Sequence, residues 1–284
     1  MQYLILGSSG QIGSGLLQHI SKTEHNAIEF DLVRDAEEDL RITNNKKLDK
    51  AVKNADFVFF LAFDVGGARY LKKYQETYEF MSNNLKLMAN TFDVIRRHKK
   101  PFIFVSSQMS SINNSNYGLL KRLGEKITDS LNGIVVKCWN IYGLESDLEK
   151  SHVITDLILK ADRTSKIDLI TNGEEERQFL HVEDCSRCLL TLAEKYTEIS
   201  RDQPLHITSF IWTKVIDLAK MISTNFDNIE VVPTLDPSAA KNDTQYLIKN
   251  EPSDYILNFW KPEIEIESGI KDIIRQMKEK KMIK

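Results

Sequence analysis

The chain has 284 residues, with 38 basic and 41 acidic side chains and a formal net charge of −3, so no bulk positive field points to nucleic acid or an anionic membrane. No apolar run approaches the roughly eighteen residues that a membrane helix needs, and three cysteines do not suggest a disulfide framework. The length suits one large α/β domain or two closely joined lobes; the expectation is a soluble protein of a reducing cytoplasm, with no leader ahead of a first strand that starts at residue 2.

In chain order, Gln2-Tyr3-Leu4-Ile5-Leu6 reads as a buried parallel strand. Gly7-Ser8-Ser9-Gly10-Gln11-Ile12-Gly13 follows at once, and the pattern from Gln11 onward (Ile12, Leu16, Leu17, Ile20) is helical. Glycines at 7, 10 and 13 permit a tight turn whose N–H groups, with the helix N-terminus, meet a pyrophosphate. Taken alone the spacing is an ordinary glycine turn. Its context is strand, turn, helix and then a second strand closed by Glu29-Phe30-Asp31. Asp31 lies about 20 residues past the turn, where a carboxylate grips an adenosine ribose. That carboxylate repels a 2′-phosphate, which favours NAD over NADP, while Arg34 nearby keeps NADP open.

The first half alternates strand (2–6, 27–30, 56–61, 101–105, 133–138) with helix (10–21, 45–53, 74–98, 115–130). That order predicts a doubly wound parallel sheet, an α/β Rossmann fold. The basic run Arg96 to Lys100 closes a helical pattern and suits a helix C-terminus. Further along, the pattern predicts a helix at 150–162, strands at 167–170 and 179–182, a helix at 183–196, a strand at 204–209 and a helix at 212–224. The stretch 225–262 is loop-rich, with Pro233, Pro237, Pro252 and Pro262, and an amphipathic helix runs from about Glu267 to Lys280. The expected division is a dinucleotide-binding domain over 1–144, to which 177–209 returns, and a smaller interleaved substrate lobe of 145–176 and 210–284.

Tyr117 and Lys121 are four residues apart on one helix face. A phenol with a pKa near 10 needs help to act as a base, and a nearby cation is expected to lower it. Ser106 and Ser107 end the fourth strand, at the sheet edge where ligands bind in such folds. A hydroxyl there can hold a reacting oxygen while Tyr117 moves its proton. Cys185-Ser186-Arg187-Cys188 falls inside a helix without a second pair, so packed thiols are expected and no metal site. His181 and His206 read as structural, and Trp212, Phe226 and Trp260 as core.

Together these motifs resemble the extended short-chain dehydrogenase/reductase superfamily, in particular its NAD-dependent sugar-nucleotide epimerase/dehydratase family, of the UDP-glucose 4-epimerase kind. Gly7, Gly10 and Gly13 match its glycine turn, with Gln11 and Ile12 inside it; Asp31 matches its ribose-binding acid. Asp39-Leu40-Arg41 resembles the segment packed on adenine, and Leu61-Ala62-Phe63 the run beside the cofactor. Asn84 matches a helix asparagine near that site. Ser107, Tyr117 and Lys121 match the catalytic triad. Asn140 in Asn140-Ile141-Tyr142-Gly143 and Arg177 in Arg177-Gln178-Phe179-Leu180-His181-Val182-Glu183-Asp184 match groups that touch the nucleotide-sugar and its diphosphate. Phe259-Trp260-Lys261-Pro262 resembles the family's ending. The resemblance implies bound NAD, a nucleotide-sugar substrate and a homodimer paired through the helices at 74–98 and 115–130.

Gln108 and Met109 stand where dehydratases of the family carry an acid-base pair, so Gln108 is left to contact substrate and water loss is disfavoured. What remains is epimerisation by transient oxidation to a keto-sugar and re-reduction. Two alternatives stay open: an NAD(P)H-dependent keto-sugar reductase and a non-catalytic dinucleotide-binding regulator. Val65-Gly66-Gly67 resembles GDP-sugar enzymes, without their extra cysteine. No arginine lies between 228 and 260 for a second diphosphate contact; Lys241 or Lys249 is the candidate substitute.

Overall fold

The computed structural model describes residues 1–234 and 250–284, so Pro237, Lys241 and Lys249 lie outside the described residues. Strands β1 (Gln2–Leu6), β2 (Asn26–Phe30), β3 (Phe57–Phe60), β4 (Phe102–Ser107), β5 (Ile134–Cys138) and β9 (Leu205–Ile207) form one parallel sheet in the order β2-β1-β3-β4-β5-β9. β1 therefore has β2 on one side and β3 on the other. The crevice at the carboxyl ends of β1 and β3 is the switch point where such sheets bind ligands.

Strand alternation builds a core on each face. Tyr3, Ile5, Phe57, Phe59, Ile103 and Val105 pack on one side with helices α1 (Gln11–Ile20) and α7 (Val182–Glu194). Leu4, Leu6, Val58, Phe60, Phe102 and Phe104 pack on the other side with α2 (Lys46–Asn54), α4 (Tyr78–His98) and α5 (Asn116–Ser130). A doubly wound sheet is thus what the alternating pattern forms.

Two departures come from local chemistry. The pattern at 74–98 is broken, because Thr77 caps a new helix by accepting from the Phe80 N–H. Before it runs a separate helix, α3 (Ala68–Tyr74), starting at Gly67. A Cβ on Gly67 would collide with the Ser151 carbonyl oxygen, so the Gly66-Gly67 pair serves close packing against the 144–152 segment. The 212–224 stretch also starts as a strand. Its first residues form β10 (Trp212–Lys214), antiparallel to β8 (Glu176–His181), and α8 (Val215–Ser223) follows.

β8 pairs in parallel with β6 (Asn140–Tyr142), a strand absent from the sequence expectation. A two-stranded ladder of β7 (Lys166–Asp168) and β11 (Glu230–Val232) lies beyond it. The third core joins α6 (Val153–Thr164), α8 and the last helix, α9 (Ile266–Glu279), through Ile154, Leu157, Leu218, Ile222, Ile270 and Ile273.

Candidate functional site

The glycine turn sits at the carboxyl end of β1. Gly7 has φ +89° and donates to the Phe30 carbonyl at 2.9 Å, locking the turn to β2. A Cβ on Gly7 would lie 2.7 Å from the Ala62 nitrogen, and one on Gly13 would collide with the Gly7 carbonyl oxygen. Gly10 has freer space and serves another purpose: it is the N-cap of α1 and offers no side chain to its N–H groups. Ser8 Oγ is buried in this turn with no hydrogen-bond partner among the described residues. An uncapped N-terminus, backbone brought close by two glycines and an unpaired hydroxyl fit a pyrophosphate. Gln11 sends Nε2 to the Gly143 carbonyl at 3.2 Å, and Ile12 packs half-buried against the core. Both shape the turn.

Asp31, directly after β2, is held by the backbone around it. Oδ2 accepts the Ser9 N–H and Oδ1 the Val33 N–H, each at 2.9 Å. Each oxygen keeps a lone pair for a ribose hydroxyl. Glu38, which the sequence reading missed, accepts the Asp31 N–H through Oε2 at 2.9 Å and brings a second carboxylate beside the first. Arg34, the residue that kept NADP open, is paired with Glu29. The Asp39 carboxylate is bound by Arg41, which donates to it from its backbone and its guanidinium, closest at 2.6 Å, and holds it below the usual range. Leu40 is buried in the core.

Leu61 and Ala62 both donate to the Leu6 carbonyl, at 3.0 and 2.8 Å, which sets their backbone against the turn. Asn84 is fully buried and clamps the next residues. Its Oδ1 accepts the Asp64 N–H at 2.8 Å, and its Nδ2 donates to the Asp64 and Phe80 carbonyls. It therefore positions the Leu61-Ala62-Phe63 wall. The Asp64 carboxylate accepts from Tyr70, Asn83 and Lys150, joining α3, α4 and the 144–152 segment at one point.

Ser107, Tyr117 and Lys121 come together at the end of β4. Tyr117 is 8% and Lys121 3% exposed. Ser107 Oγ accepts the Met109 N–H at 3.2 Å, and the Ser107 side chain acts on Tyr117 in favour of its phenolate. Ser106 points the other way, donating to Glu125 at 2.5 Å, as strand alternation requires. A Cβ on Gly118 would collide with the Met109 carbonyl, so glycine after Tyr117 lets α5 start tight against the 108–111 turn. Ser115 caps α5 by accepting the Gly118 N–H and ties it to Gln75.

The electrostatics correct one expectation. Burial pushes Tyr117 up to about 12, against the opposing Ser107 hydrogen bond, rather than down under the influence of Lys121. Lys121 is itself pushed down to about 7 by burial. Its Nζ donates to the Val105 carbonyl at 2.7 Å and lies 6.0 Å from the Tyr117 ring centre. Removing both groups from water costs each its charged form, and that outweighs their proximity.

A stability prediction follows. The folded chain releases the Lys121 proton near pH 7, while the unfolded chain keeps it to the ordinary value of 10.5. Between those values the unfolded state binds more protons, so this site's contribution is present above 10.5 and is lost as pH falls toward 7. Urea melts of wild type and Lys121→Met should therefore diverge in favour of wild type across that window, by a few kcal/mol, on the order of 1.4 per unit. A constant difference would contradict it. Tyr117, raised from 10, contributes stability that is full below pH 10 and lost as pH rises toward about 12, so it touches only the top of the window and is shared by both proteins.

Gln108 opens the turn after Ser107, and its carbonyl accepts from Asn250 at 3.4 Å. Asn140 donates to the Gln178 carbonyl at 3.1 Å, opposite Phe179 in the β6–β8 register. Arg177 is two residues before Phe179 on β8 and pairs in register with Thr213. Asn140 and Arg177 thus share one sheet.

The three cysteines are free buried thiols, two of them on α7. No group of metal-ligating side chains occurs among the described residues, and no described helix is long and apolar enough to cross a membrane. His206 is pushed down to about 4 by burial, with Trp139 Nε1 donating to it at 3.3 Å; His181 caps α7 through Nδ1. Arg97 and His98 pair with Asp49, which accounts for part of the basic run. Trp260 is buried, Phe226 packs on the third core, and Trp212 packs edge-on against Trp139 at 5.7 Å.

A parallel sheet with a glycine turn at its switch point and a buried Ser-Tyr-Lys set four strands along defines a dinucleotide-dependent enzyme of the extended short-chain dehydrogenase/reductase kind. The profile of the NAD dependent epimerase/dehydratase family matches residues 3–207, and the chain belongs to that family, whose cofactor is NAD. Among solved structures it is similar to an epimerase from Methanothermobacter thermautotrophicus, at 17% identity over 99% of this chain and 93% of that one, TM-score 0.83. It is similar to UDP-glucose 4-epimerase from Thermotoga maritima, solved with UDP-glucose, at 17% identity over 99% of both chains, TM-score 0.78. The enzyme WbmF of Bordetella bronchiseptica, in complex with NAD+ and UDP, aligns at 18% identity over 99% of this chain and 93% of its own, TM-score 0.79. At such identities the likeness is one of fold. No curated protein matches the chain.

Proposed function

We propose that the protein is an NAD-dependent epimerase of a nucleotide-activated sugar. The observation that carries this reading is that Tyr117 is the proton-transfer group beside the turn that follows β4: it is buried with Ser107 and Lys121 at the end of that strand, and the 108–111 turn is Gln-Met-Ser-Ser, without a carboxylate for water loss. Tyr117 takes the proton of a sugar hydroxyl and returns it. Ser107 holds the oxygen that becomes the ketone. Lys121, buried behind them, would hold the cofactor's ribose; Gly7, Gly10 and Gly13 would hold its pyrophosphate, and Asp31 its adenosine. The nicotinamide, when bound, supplies the hydride acceptor and its positive charge. Asn140, Arg177 and Gln108 are the candidate contacts to the sugar nucleotide.

The test is incubation with UDP-, GDP- and dTDP-hexoses, followed by proton NMR of the sugar ring. An inverted stereocentre with no net change in NADH absorbance is expected. Continuous consumption of added NAD(P)H with a keto-sugar would instead establish a reductase using the same residues, and tight NAD binding without turnover on any sugar would establish a regulator.

The reading includes a homodimer. Leu85 on α4 is 44% exposed, and Leu119 and Leu123 on α5 are 56% and 43% exposed, an unusual outward display of leucine on two packed helices. Light scattering at micromolar concentration should give twice the chain mass. Leu119→Glu with Leu123→Glu should give the single-chain mass, and a wild-type monomer would refute the dimer.

A further inference from the structure

The buried Lys121 ammonium poses an unanswered question of charge. It has three donors, and its hydrogen bond runs to the Val105 carbonyl. The carboxylate one helical turn on, Glu125, is engaged by Ser106 at 2.5 Å and Lys137 at 3.2 Å. What faces the ammonium instead is aromatic. The Phe63 ring centre lies 3.8 Å from Nζ, and the Phe104 ring centre lies 5.1 Å away. Phe63 also meets Tyr117 edge-to-face, with ring centres 5.7 Å apart and planes at 77°.

Phe63 is held in place from both sides. Its predecessors Leu61 and Ala62 are bonded to the end of β1, and its successor Asp64 is clamped at both backbone groups by the fully buried Asn84. The Asp64 carboxylate is further tied to Tyr70, Asn83 and Lys150. A ring fixed this firmly is a platform, and a cation over a ring face in a desolvated site gains more than at a surface.

We propose that Phe63 is a positioning residue for Tyr117 and Lys121: its ring face holds the Lys121 ammonium and its ring packs near-perpendicular to that of Tyr117, so both are set before substrate arrives. This rests on the assignment of Tyr117 and Lys121 to catalysis. Phe63 keeps Lys121 charged further up the pH scale than burial alone would. The other titratable groups around Lys121 are Tyr117 and Glu125 from α5 and Cys138 from β5. Asp64, next to Phe63, spends its carboxylate on Tyr70, Asn83 and Lys150.

The experiment is an NMR titration of the full chain labelled with carbon-13 at lysine Cε, the Lys121 signal being assigned by its loss in Lys121→Met. In Phe63→Leu, which keeps the bulk but removes the π face, the Lys121 midpoint should fall by about one pH unit, a tenfold loss of proton affinity. In Phe63→Tyr, which keeps the face, it should stay within a few tenths. Phe63→Met offers the same contrast if the leucine variant fails to fold. An unchanged midpoint in a folded leucine or methionine variant, or equal shifts in the tyrosine and aliphatic variants, would overturn the proposal. Neither outcome depends on turnover: an unimpaired Tyr117→Phe enzyme would sink the epimerase reading and leave this titration readable.

Discussion

Tyr117→Phe should cost the enzyme roughly 10²- to 10⁴-fold in turnover, the usual span for losing a general acid-base group. The substitution removes one hydroxyl from a buried site. Ser107 keeps its bond from the Met109 N–H, so little else moves and the cost in stability should be about 1 kcal/mol or less. NAD affinity should stay within a fewfold, because the glycine turn and Asp31 lie at the ends of β1 and β2, away from the phenol. Isothermal titration with NAD alongside product NMR separates the two effects. A variant that turns over like wild type would remove Tyr117 from the mechanism, and one that loses NAD binding would mean the phenol is structural.

Gly13→Ala should weaken cofactor binding by another route. Its new methyl group would collide with the Gly7 carbonyl oxygen and crowd Ser8 Cα at 2.8 Å, so the backbone of the turn must open. Both obstacles are backbone, which cannot rotate aside as a long side chain could. Overpacking of this kind costs about 1–3 kcal/mol, which for a chain of this size lowers the melting temperature by roughly 2–10 °C. Opening the turn also withdraws the N–H groups that would meet the pyrophosphate, so NAD should bind roughly 10²-fold more weakly. Gly10→Ala is the stability control. The nearest atom to its Cβ is the Gly7 oxygen at 3.4 Å, and its melting temperature should stay close to wild type. Equal NAD affinity in Gly13→Ala and wild type would contradict this account of the turn.

Much of this site is written in local patterns. β1, the glycine turn and α1 can be read from residues 2–20, because a buried strand, a positive-φ turn and a 3.6-residue period each leave a local mark. The Tyr117–Lys121 spacing is legible for the same reason. What sequence cannot supply is the dielectric around those residues. The expectation that Lys121 lowers the Tyr117 pKa counts a neighbouring charge and omits the burial of both groups, which decides the direction. Long-range partners are equally silent. Nothing in the pattern shows that Arg41 folds back onto Asp39, and Glu38 carries no motif yet accepts the Asp31 N–H. Asn84 is recognisable through family resemblance, but its grip on the Asp64 backbone depends on how α4 crosses the loop after β3. β6 and β10 escape notice because three-residue strands are too short to show a period, and Trp212 begins one just before a strongly amphipathic helix.

The central claim is that the cofactor is recycled in place while Tyr117 carries the proton. Mass spectrometry of the small molecule released when the purified protein is denatured tests it most directly. The account predicts NAD(H), near one per chain, because an epimerase with no net redox change has no need to release it. A protein that releases nothing, and then binds NADPH in preference to NADH on titration, would contradict it: the chemistry would be reduction, and Asp31 with Glu38 would not exclude a 2′-phosphate.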